Sequence, residues 1–259
     1  MAAQSQNNLI NSDAVKGRDY WSDARTPLAS LCFLVPWIVF YEFGVLSVGP
    51  DEANVLRNGA DYWMRSLLAR IGIGQVVLPL LVLGLLLIWH IVRNNPWHIR
   101  PETQLGMLAE SVLLAGILIV VGHCHDFCFR HLESSSTADS VALLSMSGPV
   151  HRAVSFIGAG VYEEFMFRLL LVPVAFLGFR LFEFPPRWAA AMAAISTSFL
   201  FALAHHVGPS AETFHLFAFS FRAAAGLFFA TVFLMRGFGI TVGCHAAYDL
   251  LVGIVLAGG

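Results

Sequence analysis

Seven stretches of this chain are long and apolar enough to cross a lipid bilayer: residues 27–48, 71–92, 105–122, 149–179, 188–207, 214–235 and 240–257. A span takes ~20 apolar residues, and a backbone inside hydrocarbon must satisfy its own hydrogen bonds. The expected fold is therefore all-α, a polytopic membrane helical bundle of about seven transmembrane helices. Composition agrees, since 57% of the 259 residues are hydrophobic and 12% are charged. A soluble domain carries about twice that charged fraction. The mean hydropathy is +0.70. A net charge of -2 offers no basic surface for nucleic acid, so no nucleic-acid partner is expected.

Punctuation between the spans supports this division. Arg93, Asn94, Asn95 and Pro96 stop the second, the Pro185-Pro186 doublet precedes the fifth, and Gly208-Pro209-Ser210 makes the turn to the sixth. Residues 49–70 mix charged positions with Leu56, Tyr62, Trp63, Met64, Leu67 and Leu68, a spacing that fits either an interfacial amphipathic helix or an ordinary extramembrane one. Met1 to Asp23 is polar and has no apolar run behind a basic start, so it reads as a solvated tail and not as a cleavable signal. Cys32, Cys124, Cys128 and Cys244 are scattered and suggest no disulfide framework. With the N-terminus inside, Lys16, Arg18, Arg25, Arg93, Arg100, Arg180, Arg187 and Arg236 are cytoplasmic, against Arg57, Arg65, Arg70, Arg130 and Arg152 outside. That bias favours an N-in, multi-pass protein of the plasma or cytoplasmic membrane.

The fourth, fifth and seventh spans carry charges that a bilayer does not tolerate idly. A charge at bilayer depth costs from ~2.5 to more than 10 kcal/mol, so ionisable groups there mark a functional site by default. Glu163-Glu164 is followed at i+4 by Arg168, so Glu164 and Arg168 share a helix face and can pair. Glu163 is turned about 100° away and can point elsewhere. One carboxylate can be neutralised while the other does chemistry, although a salt bridge that only fixes packing would leave the same pattern. His205 ends the fifth span with Phe201 one turn earlier, and His206 beside it fits a plain interfacial residue. His245 and Asp249 form an i, i+4 pair among the small residues Gly243, Ala246 and Ala247, which permit close helix approach.

Two imidazoles and adjacent carboxylates are equipment for activating water. Glu163, His205 and His245 could hold zinc or another divalent metal with one position open, or the same groups could polarise a water with no metal. The soluble-protease signature HExxH is absent. Glu163-Glu164-xxx-Arg168, Phe201-xxx-His205 and His245-xxx-Asp249 resemble the motifs EExxxR, FxxxH and HxxxN/D of the CPBP (CAAX protease and bacteriocin-processing, or Abi) intramembrane proteases, which include the type II CAAX prenyl endopeptidases. The resemblance covers roughly residues 150–255, with residues 1–148 read as tail and first three helices and 149–259 as the catalytic helices.

What the resemblance implies is a membrane endopeptidase acting on a membrane-associated or lipidated protein or peptide, with lipid as its other partner. Glu163 and His205 would activate the attacking water. His245 and Asp249 would stabilise the oxyanion or complete a metal site. Glu164 and Arg168 would support the geometry. An ionised Asp only accepts hydrogen bonds, so Asp249 is better suited to orient His245 or bind a metal than to donate to an oxyanion. The rival functions are a catalytically silent scaffold or immunity protein of the same fold and a proton-coupled transporter.

Three features stay outside this constellation. The run His123-Cys124-His125-Asp126-Phe127-Cys128-Phe129-Arg130-His131 is rich in metal-ligating types but matches no zinc module, and reads as a polar boundary. Arg222 is either a counter-charge for the pocket or a snorkelling residue, and His215 stands near it. Glu110 is a buried acid with no assignable partner.

Overall fold

The computed structural model describes residues 19–74, 76–130, 148–208 and 211–256. The polar stretches 1–18 and 133–139, His131 and the turn residues 209–210 lie outside the described residues. Among those described, the regular elements are helices: α1 (Tyr20–Asp23), α2 (Pro27–Leu46), α3 (Pro50–Leu56), α4 (Gly59–Arg70), α5 (Val77–Val92), α6 (Pro101–Arg130), α7 (Pro149–Glu164), a π-helical segment (Phe165–Leu171), α8 (Val172–Leu181), α9 (Pro186–Ala204), α10 (Leu216–Arg236), α11 (Phe238–Leu250) and a second π-helical segment (Leu251–Leu256). The all-α expectation holds, and five helices are long and apolar enough to span.

Local chemistry sets the boundaries. Proline opens α2, α7 and α9, where its missing N–H costs nothing. The Thr26 and Asn58 side chains cap α2 and α4 by accepting from the amides of Ala29 and Asp61. Gly237 separates α10 from α11 at φ 87°, a backbone conformation that favours glycine.

The described spans differ from the expected ones at three places. The second is shorter, a 16-residue helix beginning at Val77. The third is longer: α6 has 30 residues, ~45 Å of helix against a hydrocarbon core of ~30 Å. Its last turns carry the His123–Phe129 stretch beyond the apolar run, with Cys124 and Cys128 exposed. Residues 49–70 form two helices, with a break at Arg57-Asn58. On α4 the usual amphipathic sense is reversed, because Asp61 and Arg65 are buried while Tyr62 and Leu67 are exposed.

Helix α11 is the axis of the bundle. It packs against α2, α6, α7 and α10, and every residue from Phe238 to Ala247 is buried. A helix enclosed this way can carry a polar side chain with protein, not lipid, around it. Apolar side chains such as Phe43 and Leu46 on α2, Leu80 and Ile88 on α5, and Leu113 and Val120 on α6 face outward. With the long apolar helices, they support an integral membrane protein surrounded by lipid.

Candidate active site

Helix α7 delivers the acidic doublet at the point where its coil widens. The π-helical segment starts at Phe165, directly after Glu164, and contains Arg168. Such irregularities are frequent at functional sites. Upstream, Gly160 lets α7 approach α11 closely. A methyl group at Gly160 would lie 2.9 Å from the Ala246 backbone nitrogen, too near for any side chain. This contact, one turn from the doublet and one residue from His245, brings the first and third motifs together.

The two carboxylates have different surroundings. Glu164 is fully buried. Its Oε2 stands 3.0 Å from Arg168 Nε, and its Oε1 accepts from His245 Nδ1 at 2.7 Å. Since an ionised carboxylate only accepts, this contact places the Nδ1 proton on His245 and turns its Nε2 inward. Arg168, 1% exposed, also donates to the Gly226 carbonyl at 3.1 Å. Its guanidinium lies over the Phe201 ring at 4.4 Å, with Phe229 at 5.5 Å and Phe167 at 5.9 Å. Such a cage stabilises a desolvated cation by up to ~2 kcal/mol or more.

Glu163 is held differently. It takes part in no hydrogen bond among the described residues, and its nearest ion partner is His245 Nε2 at 4.0 Å. Its carboxylate lies within electrostatic range of His205, His245, Asp249 and Glu164. Its side chain is 12% exposed, against 0% for Glu164. One acid of the doublet is thus locked into the scaffold, and the other, also buried, is left without a hydrogen bond among the described residues beside two imidazoles.

His205 occupies the C-terminal cap of α9, where its Nδ1 lies 2.9 Å from the Phe201 carbonyl. A carbonyl accepts only, so Nδ1 carries the proton and Nε2 of the neutral ring is left as an acceptor. The Phe201 ring bridges the second and third motifs, with centroids 5.0 Å from His205 and 6.1 Å from His245. Asp249 Oδ2 is 3.5 Å from His245 Nε2.

All six expected residues, Glu163, Glu164, Arg168, His205, His245 and Asp249, therefore gather in one place. Counting residues from the span ends sets His205 and His245 near opposite faces. That count assumes level, parallel helices, whereas the Phe201 ring lies within reach of both His205 and His245. His206 lies beside Phe214, with its Nδ1 3.1 Å from the Glu212 carbonyl, away from the cluster. Arg222 forms a two-pronged pair with Glu212 at 2.7 Å, and His215 lies by Thr213, so neither serves the pocket. Glu110 gains partners from distant chain, accepting from Tyr20 at 2.6 Å and from Arg236.

Two contributors carry no sequence signal of their own. The Phe229 ring stacks on His245 at 4.5 Å and 14°, and in sequence it is one phenylalanine in an aromatic-rich span. The Gly226 carbonyl that receives Arg168 is equally silent. A third, Tyr162, precedes the doublet and could have been found through Glu42, an acid inside the first apolar span.

As placed, Glu163, His205 and His245 are not closed around a metal ion. Among the described residues, no three His, Cys, Asp or Glu side chains form a group that could hold a metal ion. A separation of 4.0 Å between Glu163 Oε2 and His245 Nε2 would open the angle at a zinc ion to roughly 150°, far from tetrahedral. The Glu164 contact at His245 Nδ1 leaves Nε2 as the nitrogen that would face an ion.

A family model, Type II CAAX prenyl endopeptidase Rce1-like, matches residues 145–251. All six clustered residues lie within that match. No curated protein and no solved structure matches the chain. Three motifs that meet on α7, α9 and α11 and a family match that encloses them agree, and residues 145–251 are similar to the Rce1-like type II CAAX prenyl endopeptidases.

Proposed function

We propose that this protein is an intramembrane endopeptidase that hydrolyses a peptide bond in a membrane-associated or lipidated substrate, with Glu163 as general base on the attacking water. The family match supports a peptidase of CAAX type. The observation that carries the mechanism is the split between the carboxylates: Glu164 is consumed by Arg168 and His245, while Glu163 keeps its oxygens free.

In the proposed reaction a water sits between Glu163 and the Nε2 acceptor of His205. Glu163 takes one proton, and the new C–O bond forms as oxygen attacks the scissile carbonyl carbon. Charge moves to the carbonyl oxygen, which His245 stabilises from Nε2 when its ring is protonated. The C–N bond then breaks as Glu163 returns the proton to the leaving amine. Positioned acid–base groups of this kind contribute typically 10²–10⁴-fold. Glu164, through its 2.7 Å contact, fixes the ring and proton placement of His245, and Arg168 balances its charge. Asp249 Oδ2 stands 3.5 Å from the same Nε2.

The Lys/Arg bias supports an N-in orientation in the cytoplasmic membrane. The deciding experiment is cleavage of a prenylated CAAX-type peptide in vesicles by wild type and by Glu163→Gln. Loss of cleavage in the variant is expected, and equal cleavage by both removes Glu163 as the base.

A further inference from the structure

A second buried polar network lies against the back of the acidic doublet. On α4, Arg65 Nε reaches Asp61 Oδ1 at 2.6 Å and Arg65 Nη2 reaches Glu42 Oε1 of α2 at 2.6 Å. The Tyr162 hydroxyl donates to the same Glu42 oxygen. Arg65 Nη2 lies 3.5 Å from the Tyr162 hydroxyl, and its guanidinium sits over the Tyr162 ring at 5.6 Å. Tyr41 closes the group, donating to Asp61 Oδ2 at 3.2 Å with its ring edge on Tyr162 at 5.3 Å. Asp61 is 0% and Arg65 3% exposed. Burial pushes the Asp61 carboxyl above its ordinary value, although Arg65 and Arg57 pull the other way. Helix α4 also touches the second motif's loop, because a side chain at Gly208 would meet the Trp63 indole nitrogen at 3.0 Å.

Two helices, α2 and α4, thus converge on Tyr162, the residue directly before Glu163. Charges this buried are a weak source of stability, since desolvation offsets much of their attraction. Their distinctive effect is geometric. A helical side-chain tip stands roughly 6 Å from the axis, so a 10° turn of α7 would carry the Glu163 carboxylate by about 1 Å. A misplacement of that size can cost ~10²-fold in rate.

We propose that the Asp61–Arg65–Glu42 network is a positioning device that sets the rotation of α7, and so the aim of Glu163, through the hydroxyl of Tyr162. The proposal rests on Glu163 being the general base. Tyr162→Phe keeps the ring and removes the hydroxyl, and Glu42→Leu removes the same bond from the other side. Both are assayed on a prenylated CAAX-type peptide with a fluorophore and quencher flanking the scissile bond, in phosphatidylcholine vesicles. Each is expected to lower kcat about tenfold or more with KM within about twofold. Glu42→Gln, which keeps an acceptor for the phenol, is expected to stay within about threefold of wild type. Val154→Ala, a core truncation on the same helix outside the network, controls for general loosening and is expected to hold kcat while lowering the thermal midpoint.

An unchanged kcat in Tyr162→Phe overturns the proposal. So does a fall in Val154→Ala equal to that in Tyr162→Phe, which would make the effect one of packing. Wild-type cleavage by Glu163→Gln is a separate result: it removes the general base itself and with it the object being positioned.

Discussion

The two halves of the acidic doublet should fail in opposite ways when each is changed to its amide. Glu164 accepts from His245 at 2.7 Å and faces Arg168 Nε at 3.0 Å, with no exposure to solvent. A glutamine there has one oxygen, so it can satisfy one of those donors while its NH2 confronts the other. Arg168 would keep its charge, with the Gly226 carbonyl and the faces of Phe201, Phe229 and Phe167 left to hold it. Breaking a buried pair from one side costs about 3–5 kcal/mol. For a chain of this size each kcal/mol shifts the thermal midpoint by ~2–4 °C, so Glu164→Gln should melt roughly 6–20 °C lower and lose activity as His245 loses its orientation.

Glu163→Gln removes no hydrogen bond among the described residues, and its nearest ionic contact is 4.0 Å away. It also discharges a buried carboxylate, which favours the folded state. Its thermal midpoint should equal or exceed that of wild type, while kcat falls by about 10²–10⁴-fold. The assay is paired: intrinsic-fluorescence melting in nanodiscs, and initial rates of peptide cleavage on the same preparations. The reasoning is refuted if Glu163→Gln melts as low as Glu164→Gln, or if Glu164→Gln loses activity with an unchanged midpoint.

Other substitutions probe the contacts that assemble the site. Gly160→Ala pushes against the Ala246 backbone, which cannot yield as a side chain can. It should cost about 1–3 kcal/mol by thermal melting and lower kcat, whereas Gly116→Ala, with nothing within 4 Å, should be neutral or stabilising. Asp249→Asn should keep cleavage within about tenfold of wild type, because Glu164 at 2.7 Å and not Asp249 at 3.5 Å fixes the His245 ring; a loss beyond ~10²-fold in kcat would assign Asp249 a larger role. Dialysis against a chelator should leave the initial rate unchanged, since no donor trio is arranged for an ion, and a rate abolished by chelation and restored by zinc would show that the groups close around a metal in the working state.

The site was more legible in the sequence than the bundle that holds it, for a physical reason. Six ionisable residues in apolar spans stand out because hydrocarbon makes each costly alone, and helical spacing already pairs Glu164 with Arg168. Span boundaries depend on weaker signals. Arg57 and Arg65 read as charges on an interfacial or extramembrane helix, yet Arg65 is buried because Asp61 and Glu42 compensate it. Asp61 is a local i, i+4 partner, but no local pattern announces Glu42, which lies 23 residues away. The Glu110–Arg236 bridge joins residues 126 apart and is equally hidden. Aromatic contacts such as Phe229 on His245 are invisible for another reason: one phenylalanine among 22 carries no address.

The placement of ionisable groups also separates hydrolysis from transport. A proton path must run from one membrane face to the other, with a titratable group or water at each step. Here the Glu163 cluster is backed by the Asp61–Arg65–Glu42 network on one side only. Towards the Gly237 turn, α11 presents Phe238, Ile240, Val242 and Cys244, all fully buried or nearly so, before any charged side chain is reached. Glu110 and Arg236 are closed on each other and on Tyr20. A cluster that is densely charged, enclosed by Phe201 and Phe229 and sealed at one end suits a reaction that must hold a water and exclude the rest. Among the described residues no charged side chain continues α11 towards the Gly237 turn, and a proton flux measured in sealed vesicles, abolished by Glu163→Gln, would reverse the preference for hydrolysis.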